Sequence, residues 1–312
     1  MNDEFLFVEK YRPSTVSECI LPDRLKVVFQ SYVDNKSIPN LMLTGPPGVG
    51  KTSVAIAMCD EIGLNYIKIN GSKERGIDTL RTKINNYAST VSIRGGRKVI
   101  IMDEADGMTA EAQDAFKGVI EEFSSNATFI LTCNFKAKLI EAIHSRCAVI
   151  DFRLEAADRP KMASQFFKRL EEILTLENVT FDKAVLVKVV EKYFPDYRRT
   201  LNELQRLSTL GAIDISVLAQ VTDIRKMSEL VRYLKGSDFS GMRKWVVLNS
   251  DIDPTKIYRK VYDSLYDFLK PSSIPQVVVI LAKYQYQAGF VPDGEINLVA
   301  CLTEIMVDGE FL

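Results

Sequence analysis

Residues 45–52 read Gly-Pro-Pro-Gly-Val-Gly-Lys-Thr and satisfy the pattern G-x-x-x-x-G-K-[ST] at every fixed position. The apolar run Leu41–Thr44 stands directly before it and a helical pattern, 53–62, directly after. Strand, glycine-rich turn and helix in that order confine the chain to α/β folds in which backbone N–H groups close around a phosphate at a helix N-terminus. Glycines let successive N–H groups turn inward. In this reading Pro47, Gly48, Val49, Gly50, Lys51, Thr52 and Ser53 border a nucleotide. Lys51 reaches the β- and γ-phosphates and the Thr52 hydroxyl ligates Mg²⁺. The plain alternative is a Gly/Pro turn ahead of a helix, which leaves the ordered context unexplained.

Four more short apolar runs, 66–70, 99–102, 128–132 and 148–152, alternate with segments of helical length and period. That alternation predicts a parallel sheet covered by helices on both faces. Val99-Ile100-Ile101-Met102 is apolar without alternation, as a strand buried on both faces should be, and it ends in Asp103-Glu104. Ligands of such sheets gather at the carboxyl ends of strands. Asp103 is therefore expected to hold Mg²⁺ through water, and Glu104 to polarise an attacking water. Seen alone, the pair reads equally as a solvated acidic turn. Asn134 closes another apolar strand. Its amide either orients the water or reads the γ-phosphate, or it only turns the chain.

After residue 152 the strand signals stop, and helical patterns follow at 160–176, 182–193, 198–210, 224–234, 241–249, 254–269, 274–289 and 295–307. The predicted organisation is an α/β domain over 1–153, a short helical domain over 154–222 and a helical C-terminal domain over 223–312. Forty Lys and Arg against forty-one Asp and Glu exclude a uniformly basic nucleic-acid binder but leave room for a local basic face. A single histidine excludes a two-histidine zinc motif, and five scattered cysteines without a CxxC pair fit neither a zinc ribbon nor a disulfide framework. No run approaches a membrane span and the acidic N-terminus is unlike a signal peptide, so a cytoplasmic protein without membrane contact is expected.

Taken in order, these motifs resemble an AAA+ P-loop ATPase, and more narrowly the clamp-loader branch. Val8-Glu9-Lys10-Tyr11-Arg12-Pro13 is similar to the N-terminal box of replication factor C small subunits, which borders the adenine. The resemblance thus implies that Val8, Tyr11, Arg12 and Pro13 bind nucleotide. Residues 70–78 resemble the same family's segment after the second strand. Ser145-Arg146-Cys147 matches its Ser-Arg-Cys motif, which implies that Arg146 acts in trans on a neighbouring subunit's ATP. Asp196-Tyr197-Arg198-Arg199 resembles the family's lid motif and puts a γ-phosphate sensor on Arg198. The helical segments become a lid domain and an oligomerising collar. The compact length looks most like the large subunits of T-even phage clamp loaders. The specific motifs lie between residues 8 and 205, and no cysteine-rich zinc module of the bacterial kind is present.

The implied function is an ATPase subunit that loads a sliding clamp onto primer–template DNA during replication. ATP and Mg²⁺ are the cofactors. The partners are the clamp, DNA, other copies of the chain and a non-identical small or scaffold subunit, in a pentamer. Arg146 follows a helical pattern over 135–144, and taken by itself it reads as one half of an ordinary salt bridge within the domain. Lys73, Arg75, Arg81 and Lys83 surround a predicted helix start near Ile77, and Lys117 lies on the helix after Glu104. Such cations suit a phosphate backbone, although Glu74 and Asp78 dilute the cluster and a solvated face explains it as well. Gln113 is expected, by resemblance, to couple DNA binding to Glu104, a surface glutamine being the alternative. Rival readings are another AAA+ motor, for branch migration or helicase loading, and a non-hydrolysing scaffold subunit.

Overall fold

The computed structural model describes residues 6–73, 77–89, 97–209, 211–214, 227–250 and 252–312. The chain divides into two compact units, Met1–Leu218 and Ala219–Leu312.

The first unit is built on a five-stranded sheet of order β2-β3-β4-β1-β5, formed by β1 (Leu41–Thr44), β2 (Tyr66–Asn70), β3 (Lys98–Asp103), β4 (Ala127–Cys133) and β5 (Ala148–Asp151). All four pairings are parallel. Every residue of β1, β3 and β4 is buried, which is why these strands read as unbroken apolar runs. The pleat still sorts them. Leu41, Leu43, Val99, Ile101 and Ile130 face one core, with Phe29 of α2 (Asp23–Asp34) and Val54 and Met58 of α3 (Lys51–Ile62). Met42, Ile100, Met102, Phe129 and Leu131 face the other, with Ile84 of α4 (Ile77–Ala88) and Phe116 of α5 (Ala110–Glu122). Phe116 and Phe129 meet edge to face at 5.6 Å. Full burial of such side chains stabilises the fold by roughly 1.5–3 kcal/mol each.

Among the described residues of this unit, three helices follow the sheet: α7 (Arg159–Leu176), α8 (Lys183–Tyr193) and α9 (Tyr197–Ser208). The short N-terminal α1 (Phe7–Lys10) docks on them, with the Phe7 N–H donating to Gln205 Oε1 at 3.0 Å. Asp196 caps α9 by accepting from the Arg199 N–H at 2.9 Å, a cap worth about 1 kcal/mol.

Residues 135–144, expected as one helical stretch, instead form a single tight turn at Lys136–Lys138 and the short α6 (Glu141–His144). Leu139 and Ile140 between them are extended. The cause is tertiary: Leu139 is buried in the sheet core and the Ile140 N–H is taken by a side chain of α5.

The second unit holds α10 (Met227–Lys235), α11 (Phe239–Leu248), α12 (Pro254–Asp263), α13 (Leu265–Phe268), α14 (Ile274–Gln287) and α15 (Gly294–Asp308). The single helix expected over 254–269 is interrupted at Ser264, whose N–H is shared between the carbonyls of Lys260 and Val261. Trp245 is 2% exposed and packs inside this unit's own core with Ile257, Val261 and Phe268. Among the described residues no helix is long and apolar enough to cross a membrane.

Candidate nucleotide site

The loop after β1 turns through Gly45, Gly48 and Gly50 at φ +145°, +76° and +91°, a region that side chains disfavour. At Gly48 the closeness to the helices above is also decisive. A Cβ there would lie 1.8 Å from Asp196 Oδ1, and the Gly48 carbonyl accepts from the Tyr197 N–H at 3.0 Å. The phosphate loop and the start of α9 are thus in direct contact. Pro47, Gly48, Gly50, Lys51, Thr52 and Ser53 line the cleft beneath, while the Val49 side chain is buried in the α2–α3 core and leaves only its backbone to the loop.

Lys51 is 8% exposed and its ammonium donates to the carbonyls of Gly45 (2.6 Å) and Pro46 (2.7 Å) and to Asn134 Oδ1 (3.0 Å). Burial lowers its pKa below the usual lysine value, and the nearby charges of Asp106 and Asp103 only partly offset this. Asn134 therefore faces the phosphate loop. Its own N–H and that of Phe135 both donate to Asp106 Oδ2, at 3.1 and 3.0 Å. Asp106 thus fixes the loop that carries Asn134, a role sequence reasoning missed.

Asp103 sits at the end of β3 and accepts at Oδ1 from the hydroxyls of Thr52 (2.7 Å) and Thr132 (2.6 Å). Its Oδ2 is ion-paired with Lys68 at 2.8 Å. Burial acts to raise the Asp103 pKa, but hydrogen bonds from Lys68, Thr132 and Thr52 outweigh it and hold the carboxyl below its usual range. Next to it, Glu104 adopts φ +54°, ψ +47°, and its N–H donates to Thr132 Oγ1 at 3.2 Å. Its exposed carboxylate accepts from Asn70 Nδ2 at 3.3 Å. Asn70 Oδ1 meanwhile accepts from the N–H groups of Ser72 and Lys73, at 2.9 and 3.0 Å. One amide at the end of β2 thus bridges Glu104 and the loop that follows. Sequence reading quoted Asn70 only as part of a family segment, and an asparagine ending a strand carried no stronger signal.

Val8, Tyr11, Arg12 and Pro13 form one wall of the cleft, and Arg198 and Leu201 of α9, with Phe166 and Ile173 of α7, form another. The Tyr11 hydroxyl and the Lys10 ammonium both bond Glu177, just past α7, so the N-terminal box is tied to the helices that face it. Arg198 is exposed and lines the cleft, whereas Arg199 stacks over the Tyr193 ring at 4.7 Å.

Arg146 is not brought into this cleft. It bonds Glu121 of α5 with Nε (3.0 Å) and Nη2, and the Ala142 carbonyl with Nη1 (2.6 Å). Gln113 is not on the helix surface. It is 4% exposed, donates to the carbonyls of Met108 (3.3 Å) and Lys138 (3.0 Å), and accepts from the Ile140 N–H at 2.9 Å. It thereby joins α5 to the segment that leads to α6 and Arg146. Met108 is a core residue, 5% exposed.

Of the basic set, Lys73, Arg81 and Lys83 are exposed. Arg81 lies 3.5 Å from Glu122, and Lys117 lies 2.8 Å from Asp114. Arg75 lies outside the described residues. Thr52 and Asp103 fit a hard divalent ion: a hydroxyl and a carboxylate held 2.7 Å apart, both oxygen donors. Among the described residues no group of three His, Cys, Asp or Glu side chains offers a separate metal site. All five cysteines are buried and unpaired.

A family profile described as "ATPase family associated with various cellular activities (AAA)" matches residues 41–154, and one described as "Sliding-clamp-loader large subunit, AAA+ ATPase lid domain" matches residues 158–219. The chain is 34% identical over 300 residues to the sliding-clamp-loader large subunit of Enterobacteria phage T4, covering 95% of this chain and 93% of that one. It is 33% identical over 271 residues to the replication factor C small subunit of Methanothermobacter thermautotrophicus, covering 83% of each. Among solved structures, a mutant of Thermotoga maritima RuvB covers 93% of this chain and 91% of its own at a TM-score of 0.57 and 15% identity, a likeness of fold alone.

Proposed function

The chain belongs to the clamp-loader ATPases of the AAA+ class, and we propose that it is the ATPase subunit of a loader that opens a sliding clamp and closes it on primer–template DNA. It hydrolyses ATP to ADP and phosphate. The observation that carries the chemistry is the convergence of two hydrogen-bonded pairs, Lys51 with Asn134 and Thr52 with Asp103, at the carboxyl ends of β1, β3 and β4.

In this reading Lys51 leaves the carbonyls of Gly45 and Pro46 for the β- and γ-phosphates. Thr52 and Asp103 would hold Mg²⁺, which would supply positive charge to offset the charge that develops on the phosphates. Glu104 parts from Asn70 to accept the proton of the attacking water, and Asn134 orients that water. Val8, Tyr11, Arg12 and Pro13 enclose the base. Arg198 senses the γ-phosphate from the helices above, so nucleotide shifts the population of lid positions. Arg146 exchanges Glu121 for the ATP of a neighbouring copy. A guanidinium delivered this way is worth ~10³–10⁵ in rate.

Lys73, Arg75, Arg81, Lys83 and Lys117 follow the DNA backbone, which is read by charge and shape rather than base sequence. Gln113 couples that surface to Glu104. The domains are a nucleotide-binding domain over 1–153, a lid over 154–222 and a collar over 223–312. The assembly is a pentamer with a non-identical subunit, working in the cytoplasm. The test is steady-state ATPase of the chain with its partner subunit, alone, with primer–template DNA, with clamp, and with both. Synergy between clamp and DNA is expected. Stimulation by DNA that ignores the clamp overturns the reading in favour of another DNA motor, and ATP binding without turnover does so in favour of a scaffold subunit.

A further inference from the structure

Lys68 is the middle residue of β2, a position from which a strand lysine normally points to solvent. Its strand partner in the register is Ile101, while Asp103 stands opposite Asn70, two residues further along. Two residues of strand span about 6.6 Å, close to the full reach of a lysine side chain. The Lys68 side chain therefore runs along the sheet and ends 2.8 Å from Asp103 Oδ2.

The reason lies in what surrounds Asp103. Asp103 is 8% exposed, and its other carboxylate oxygen has two neutral hydroxyl donors, Thr52 and Thr132. Hydroxyls satisfy lone pairs but do not balance charge, and a buried carboxylate needs a counter-charge. Lys68 supplies it. Its side chain is 41% exposed, so it is free to leave into solvent without opening the core.

We propose that Lys68 is a positioning residue of the metal subsite, whose ammonium guards Asp103 against a divalent ion until that ion arrives together with nucleotide. The inference rests on the reading of Asp103 as the metal-bearing carboxylate. Like charge at this spacing disfavours simultaneous occupancy, so Lys68 and a divalent ion compete for Asp103. Nucleotide shifts the competition because its phosphates add ligands for the ion and neutralise part of its charge. Without Lys68, Asp103 binds the ion unaided and the order of arrival is lost.

The probe is Mn²⁺, counted by its electron paramagnetic resonance signal, with the full-length chain in the absence and presence of ADP. Lys68→Met is expected to bind Mn²⁺ without nucleotide at least about 10-fold more tightly than wild type, equivalent to ~1.4 kcal/mol. Lys68→Arg, which keeps the charge, is expected to restore the wild-type value. Lys68→Met combined with Asp103→Asn is expected to abolish the gain, which locates the ion. Equal Mn²⁺ affinity in Lys68→Met and wild type, with an Asp103-dependent site still present alongside ADP, overturns the role of Lys68 alone. Wild-type Mn²⁺ binding in the presence of ADP that is indifferent to Asp103→Asn overturns the metal assignment and the inference with it. Lys68 lies on the edge strand β2 and is exposed, so a circular dichroism melt of Lys68→Arg is expected to match wild type, whereas Lys68→Met leaves the Asp103 carboxylate without its counter-charge and is expected to melt lower.

Discussion

The cleft around Lys51 and the face that carries Arg146 belong to one compact unit and are prepared in opposite ways. In the cleft the groups that would meet ATP already bond one another: Lys51 to Asn134, and Thr52 to Asp103. Arg146 instead rests on Glu121 and a carbonyl of α6, the helix just before it, outside that cleft. The difference is one of completeness. The groups that one chain brings to the cleft satisfy one another's hydrogen-bonding needs. Arg146, in the proposed role, would give up Glu121 to serve a second chain.

The contrast orders the expected effects of mutation. Lys51→Ala removes an ammonium that makes three hydrogen bonds in the cleft. Charge-assisted bonds of this kind are worth ~1.5–3 kcal/mol each, so ATP affinity should fall by about 100-fold or more in an equilibrium titration. Loss of less than a few-fold would detach Lys51 from the phosphates. Glu104→Gln should bind ATP normally and turn over ~10²–10⁴ times more slowly, measured as phosphate release. Unchanged turnover would remove Glu104 from the chemistry.

Gln113→Ala joins the two regions. It leaves the Ile140 N–H and the Lys138 carbonyl without their partner, at a cost of ~1–3 kcal/mol of stability in denaturant unfolding. If Gln113 also couples the two regions, DNA stimulation of ATPase should drop while nucleotide affinity does not. The smallest effect belongs to Glu121→Gln. An ion pair this exposed is worth about 0.2–1 kcal/mol, so the melting temperature should hardly change. A large loss of stability would show that Arg146 is held for the fold and not for a neighbour.

How far the sequence revealed these regions follows the same divide. The strands of the sheet were legible because each is a short apolar run with a turn signal after it, and β1 and β2 fall on the expected residues. The phosphate loop was legible because its backbone demands glycines at fixed spacing. The 135–144 segment was not. Its helical pattern is local, while Leu139 and Gln113 act across the sheet edge and pull Leu139 and Ile140 into an extended form. Gln113 reads as surface because glutamine usually is, and only the carbonyls and N–H of the facing segment make burial tolerable. Asp106, Asn70 and Lys68 went unread for a related reason: each acts on a residue brought close by the sheet and not by the chain. Trp245 shows the limit in the second unit, where apolar periodicity announces a core but cannot say whether one chain or several build it.

The central claim is that Arg146 completes a site belonging to another copy. Complementation tests it most directly. Chains carrying Arg146→Ala and chains carrying Lys51→Ala are each expected to give inactive assemblies with clamp and DNA. Co-assembled complexes shown to contain both chains should regain ATPase activity, because an intact Lys51 cleft then stands beside an intact Arg146. If Arg146 served its own chain's ATP, every site in the mixture would lack one essential group. Turnover that stays at the level of the separate variants would contradict the account.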